Sequence, residues 1–141
     1  MSDTVRTKAS CLCGSVTMTA SQVSKKLEAC HCSMCRKWGG GPALVVDSGT
    51  DVQIEGAENV SIYNSSEWAE RGFCSVCGTH LFYRIKDTNQ HIVPAGFFSE
   101  VNELEFYKQI FIDEKPAYYT FANETKNMTG LQVFEQFTGS D

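Results

Sequence analysis

The chain has 141 residues, 42% of them hydrophobic and 21% charged, values of a globular protein and not of a disordered or fibrous one. Twelve Lys and Arg against 17 Asp and Glu leave a formal net charge of −5, the wrong sign for a surface that tracks phosphates, so nucleic acid is not an expected partner. No run approaches the roughly 20 apolar residues of a membrane helix, and the opening Met1–Lys8 has no apolar h-region, so a soluble cytoplasmic chain with no membrane partner is expected.

Residues 9–137 read as one domain, between a frayed 1–8 segment and a 138–141 tail. Val16, Met18 and Ala20 alternate with Ser15, Thr17 and Thr19, the period of a half-buried strand. Short β runs follow at Ala43–Val46, Val52–Ile54 and Val60–Tyr63, and Leu81, Tyr83 and Ile85 alternate through Thr79–Ile85. His91–Val93 and Gly96–Phe98 flank Pro94, which suits a strand edge or bulge. Phe106–Ile112 and Leu131–Phe137, rich in aromatic and β-branched residues, are expected as strands. The breaks carry turn chemistry, as in Gly39-Gly-Gly-Pro42 and Asp47-Ser-Gly-Thr50. Helix is expected only as one turn after Cys32 and one around Ser99–Glu103. The fold class that results is all-β with very little helix.

Cysteine is the informative excess: Cys11, Cys13, Cys30, Cys32, Cys35, Cys74 and Cys77. An odd number of cysteines without an export signal points to metal or redox chemistry and away from a disulfide framework. Cys74-Ser-Val-Cys77-Gly78 lets a tight turn aim two sulfurs at one ion, with Gly78 free to take the positive φ that closes it. Cys11-Leu-Cys13 puts two cysteines on one face if it lies on a strand, and with the C-x-x-C it completes a four-sulfur site for structural zinc; a redox pair is the alternative.

Cys30-His-Cys-Ser-Met-Cys35 then keeps three sulfurs in one short segment, so that the seven divide as four and three. Three protein ligands leave a zinc coordination position for an outside donor, as in catalytic sites. Two other readings stay open: a second structural site closed by His31, His80 or His91, or a labile redox cluster. Iron–sulfur clusters want four protein ligands and fit poorly. Arg36 and Lys37 follow at once and suit the negative charge of such a centre or a substrate carboxylate, and Trp38 is placed to wall it.

Cys11-Leu-Cys-Gly14, then Cys30-His-Cys-Ser-Met-Cys-Arg-Lys-Trp-Gly-Gly40, then Phe73-Cys-Ser-Val-Cys-Gly-Thr-His-Leu81 together resemble the glutathione-dependent formaldehyde-activating enzyme (GFA) family. Gln109-Ile-Phe-Ile-Asp-Glu-Lys-Pro-Ala-Tyr118 resembles that family's closing strand motif, although Gln109 and Tyr118 stand where His and Trp occur in many relatives. The resemblance spans about Ala9 to Phe121. It implies a zinc-bound β-tent of packed antiparallel sheets, a fold shared with methionine-R-sulfoxide reductases. It also implies that Cys11, Cys13, Cys74 and Cys77 hold structural zinc and that Cys30, Cys32 and Cys35 hold catalytic zinc. The implied reaction is carbon–sulfur lyase chemistry on thiol–aldehyde adducts, with glutathione as co-substrate, formaldehyde as the aldehyde, and Arg36 and Lys37 on the glutathione carboxylates. The competing class is a non-catalytic zinc-binding interaction or metal-handling module. A sulfoxide reductase would need a cysteine free of metal, and the four-plus-three division leaves none.

Overall fold

Backbone pairing and turn chemistry, more than apolar periodicity, decide where this chain's elements begin and end. The computed structural model describes residues 3–138. In chain order the elements are β1 (Thr4–Ser10), β2 (Thr17–Ser24), β3 (Lys26–Cys30), α1 (Ser33–Gly39), β4 (Ala43–Asp47), β5 (Val52–Glu55), β6 (Val60–Tyr63), β7 (Ala69–Cys74), β8 (His80–Ile85), β9 (Gln90–Pro94), β10 (Glu105–Ile110), β11 (Lys126–Met128) and α2 (Gly130–Thr138). The mostly β architecture is therefore the one expected. The described residues divide into two compact units, 3–25 with 46–104 and 26–45 with 105–138. Among them no helix is long and apolar enough to cross a membrane.

In the first unit β1, β2 and β5 form an antiparallel sheet in that order. Met18 and Ala20 point into the core at alternate positions of β2. The pairs Val5↔Val23 and Thr7↔Ala20 leave one extra residue on β2, and this bulge reverses the phase so that Val23 is buried while Gln22 is exposed. β6 to β9 make an antiparallel meander that buries Ala69, Leu81, Phe82 and Val93. The expected fraying of 1–8 does not hold for residues 4–8. They pair with β2 from Thr4↔Ser24 to Lys8↔Thr19, because ladder hydrogen bonds do not need apolar side chains. Of the 138–141 tail, Thr138 ends α2 and residues 139–141 lie outside the described residues.

Gly56 closes β5 at φ +83, and a Cβ there would lie 2.0 Å from the Ser15 carbonyl oxygen. Gly56→Ala is expected to cost about 2–4 kcal/mol, from the left-handed backbone and the clash together. Gly40, at φ +91 with nothing within 4 Å of its would-be Cβ, isolates the backbone contribution. Gly40→Ala should cost only about 1–2 kcal/mol. Denaturant unfolding of both variants checks the difference, and equal losses would remove the steric argument.

In the second unit β10 lies between β3 and β11 and runs parallel to both. Parallel neighbours need long connections, and the excursion through 31–104 supplies one between β3 and β10. α1 is the turn expected after Cys32. The helical turn expected at Ser99–Glu103 is absent: only 99–100 turn, with Val101 N donating to Phe98 O at 3.0 Å, and a 3-10 turn forms earlier, at Ala95–Phe97. After the turn at 99–100, residues 101–104 run without regular structure into β10 at Glu105.

The strand expected at Leu131–Phe137 is the helix α2 instead. Thr129 Oγ1 accepts from Gln132 N at 3.2 Å while Gln132 Oε1 accepts from Thr129 N at 2.8 Å, a reciprocal capping box that starts a helix. Val133 is then buried, and Phe134 meets the edge of Phe111 at 5.8 Å between ring centroids. Gly130 is required here, since a Cβ would lie 2.7 Å from the Phe111 ring.

Candidate metal centres

The first unit brings Cys11, Cys13, Cys74 and Cys77 together, with their sulfurs all within 4.8 Å of one another. Cys13 Sγ lies 3.7 Å from both Cys11 Sγ and Cys74 Sγ. Four sulfurs at bond lengths of about 2.3 Å around a tetrahedral ion are separated by roughly 3.8 Å, so the spacing fits. The C-x-C does not lie on a strand as expected. It is a tight turn, closed by Gly14 N donating to Cys11 O at 3.0 Å with Gly14 at φ +82. Cys11 N and Val16 O bond at 2.9 Å, and Val16 N reaches Cys11 Sγ at 3.3 Å.

The C-x-x-C forms the turn between β7 and β8, with Gly78 at φ +82 as its spacing requires and Gly78 N bonded to Cys74 O at 2.8 Å. Thr79 joins the two turns: its hydroxyl accepts from Leu12 N at 3.2 Å and lies 3.1 Å from Cys77 Sγ. The Thr79 hydroxyl and amide hold the Cys77 thiol down at about 5. At Cys11 burial pushes the thiol up, but the Val16 amide and the Cys13 and Cys74 side chains bring it below the ordinary value.

The second unit gathers Cys30, Cys32 and Cys35, again with sulfurs within 4.8 Å of one another. Cys30 ends β3, and Cys32 is the N-cap of α1, accepting from Cys35 N at 3.3 Å. Glu114 Oε1 takes the next free amide, Ser33 N, at 2.9 Å. Hydrogen bonds from the Cys30 and Cys35 thiols, followed by the Cys35 and Met34 amides, hold Cys32 down at about 2 against its burial. Cys30, which gives those bonds and is buried, is pushed up. Both clusters can therefore hold a metal ion through thiolate sulfur.

No histidine or carboxylate is grouped with these three sulfurs among the described residues. His31 is fully buried, and its nitrogens are engaged elsewhere: Nδ1 with Tyr119 Oη at 2.8 Å and Nε2 with Gln109 Oε1 at 2.7 Å. His80 and His91 belong to the first unit, where burial lowers both. Arg36 is fixed by its Nε donating to His31 O at 2.9 Å, while Lys37 is exposed on α1 and Trp38 is half-buried. Tyr119, Glu114 and Thr79 were not singled out from the sequence as site residues. Thr79 lies inside the quoted motif, whereas Tyr119 and Glu114 announce themselves only through contacts 88 and 81 residues away.

The sequence profile described as "Glutathione-dependent formaldehyde-activating enzyme" matches residues 6–114. An uncharacterized lyase of Schizosaccharomyces pombe is 35% identical over 126 residues, covering 89% of this chain and 92% of that protein. A Halomonas elongata protein, named among the glutathione-dependent formaldehyde-activating enzymes, is 34% identical over 82 residues, 52% of each chain. A crystal structure of a Rhodobacter sphaeroides protein superposes with a TM-score of 0.54 and 26% identity, over 67% of this chain and 90% of that one. With a match through both cysteine clusters, the chain belongs to the glutathione-dependent formaldehyde-activating enzyme family.

Proposed function

We propose that the chain, with 9–137 as its working unit, is a zinc-dependent carbon–sulfur lyase that makes or splits the adduct of a thiol and an aldehyde. Glutathione and formaldehyde are the pair that the family's name points to. The carrying observation is the uneven division of the sulfurs into groups of four and three. Cys11, Cys13, Cys74 and Cys77 would hold one zinc with no position to spare, as structural sites do. Cys30, Cys32 and Cys35 would hold the second and leave a position for the sulfur of the substrate. Zinc bound there supplies the positive charge that keeps an incoming thiol as its thiolate near neutral pH.

The chain's own part is placement. The N-cap geometry fixes Cys32, and the Glu114 carboxylate on Ser33 N steadies the same turn. The bond from Arg36 to His31 O holds a guanidinium beside the cluster, and Lys37 adds an exposed ammonium one residue on, so both suit a peptide thiol's carboxylates. All seven cysteines are unpaired and lie in the two clusters, which suits a reducing compartment such as the cytoplasm.

Magnetisation-exchange NMR with ¹³C-formaldehyde and glutathione tests the reading. The zinc-loaded chain is expected to speed formation and breakdown of S-hydroxymethylglutathione above the spontaneous rate, and Cys35→Ser to abolish the increase. Equal exchange rates with and without the zinc-loaded chain would refute it.

A further inference from the structure

Half of the four-sulfur cluster faces solvent. Cys11 and Cys74 are buried, at 4% and 0% exposure, whereas Cys13 and Cys77 are exposed. The alternation follows from the two turns, each of which starts at a buried cysteine and ends at an exposed one just before its closing glycine, Gly14 or Gly78. The apolar residues of these turns do not cover the exposed pair, since Leu12 is itself 92% exposed and Val76 62%. The sulfurs of Cys13 and Cys77 lie within 4.8 Å of each other, a gap that rotation of the two side chains can close.

Access to the three-sulfur cluster is poorer, with Cys30 buried and Cys32 and Cys35 half-buried. Charge ranks the two groups in the same order. Four thiolates around Zn²⁺ leave two negative charges and three leave one, so the first cluster holds the more electron-rich sulfur. Each exposed sulfur also has a hydroxyl beside it: Thr79 Oγ1 lies 3.1 Å from Cys77 Sγ, and Ser15 Oγ lies 3.2 Å from Cys13 Sγ. Thr79 Oγ1 accepts from Leu12 N, which leaves its own proton for the sulfur side. A donor in that place stabilises the hydroxide that departs when a sulfur attacks an O–O bond.

Resting on the four-sulfur zinc site of the reading above, we propose that Cys13 and Cys77 are an oxidation site for hydrogen peroxide, and that their conversion to a disulfide releases the ion bracing the first unit. The Cys77 thiolate displaces hydroxide from the peroxide and becomes a sulfenic acid. The Cys13 thiolate then attacks that sulfur, which forms the S–S bond and expels a second hydroxide. The two sulfurs together lose two electrons, the broken O–O bond gains them, and two solvent protons turn both hydroxides into water. Cys11 and Cys74 are left as half of the original ligand set, too few to close a tetrahedral site. Folding of the first unit is thereby tied to reducing conditions, while Cys30, Cys32 and Cys35 take no part.

Hydrogen peroxide titrated into the zinc-loaded chain tests this, with a chromophoric chelator reading the released ion and non-reducing tryptic mass spectrometry locating the bond. About one zinc per chain is expected to leave. Peptides 9–25 and 72–84, which carry Cys11, Cys13, Cys74 and Cys77, should become joined through Cys13 and Cys77, while the three cysteines of peptide 27–36 stay open to alkylation. Reduction in the presence of zinc should restore both the ion and the melting curve. The Cys32→Ser chain, which should carry only the first ion, is expected to release it in the same way. Earlier oxidation within 27–36, a bond between Cys74 and Cys77 inside 72–84, or no release from Cys32→Ser would overturn the proposal. The zinc site itself stands in those cases if zinc slows alkylation of Cys13 and Cys77 in the untreated chain. If zinc gives no such protection, the four-sulfur zinc reading fails and this inference falls with it.

Discussion

Cys77→Ala is expected to abolish the cooperative melting transition of the zinc-loaded protein. The side chain is exposed, so truncating it opens no cavity, and an ordinary surface substitution changes stability by about 0.5 kcal/mol or less. Ligation makes the opposite prediction. Structural zinc in small domains contributes on the order of 10 kcal/mol or more to folding, comparable with the whole stability of a domain this size. Cys77 is also one end of the link through Thr79 to the Leu12 amide, so loss of the ion frees both turns at once. Circular dichroism melts with parallel metal analysis measure the effect. A variant that melts cooperatively within a few degrees of wild type would show that these four sulfurs do not brace the fold.

The two cysteine clusters were legible because sulfur spacing is local. Two cysteines three residues apart, closed by a glycine, fix a turn whatever surrounds it, and Gly78 has the backbone that spacing requires. The division of seven cysteines into four and three could likewise be read without knowing the fold, and each group does converge. Elements held by backbone pairing or polar contacts were less visible. β7 carries the buried Arg71, whose guanidinium lies 5.1 Å from the Tyr83 ring centroid, so an interior position reads as a surface one. β1 and β11 are largely polar, and their ladder partners lie elsewhere in the chain. In α2 the aromatic and apolar residues that suggested a strand are overruled by the Thr129–Gln132 cap. The His31 network was out of reach for a different reason: Gln109 sits 78 residues from its partner inside a run that reads as an ordinary half-buried strand.

At the three-sulfur cluster, two substitutions at Cys32 separate metal binding from helix capping. Cys32 is placed for both, since its sulfur accepts from Cys35 N as the N-cap of α1 and lies among the three sulfurs that could hold a metal ion. Cys32→Ala removes both roles, and the lost cap alone should cost about 1 kcal/mol. Cys32→Ser keeps an N-cap acceptor but replaces thiolate with a hydroxyl, a much poorer zinc ligand. Both variants are expected to fall from about two zinc per chain to about one, while the serine variant melts above the alanine variant. The fold should survive in each, because the four-sulfur cluster in the other unit is untouched. Retention of two zinc by Cys32→Ser would mean that the ion does not depend on this sulfur. Unfolding of both variants would mean that the second ion is a brace like the first, and the coordination position needed for an outside thiol would lose its rationale.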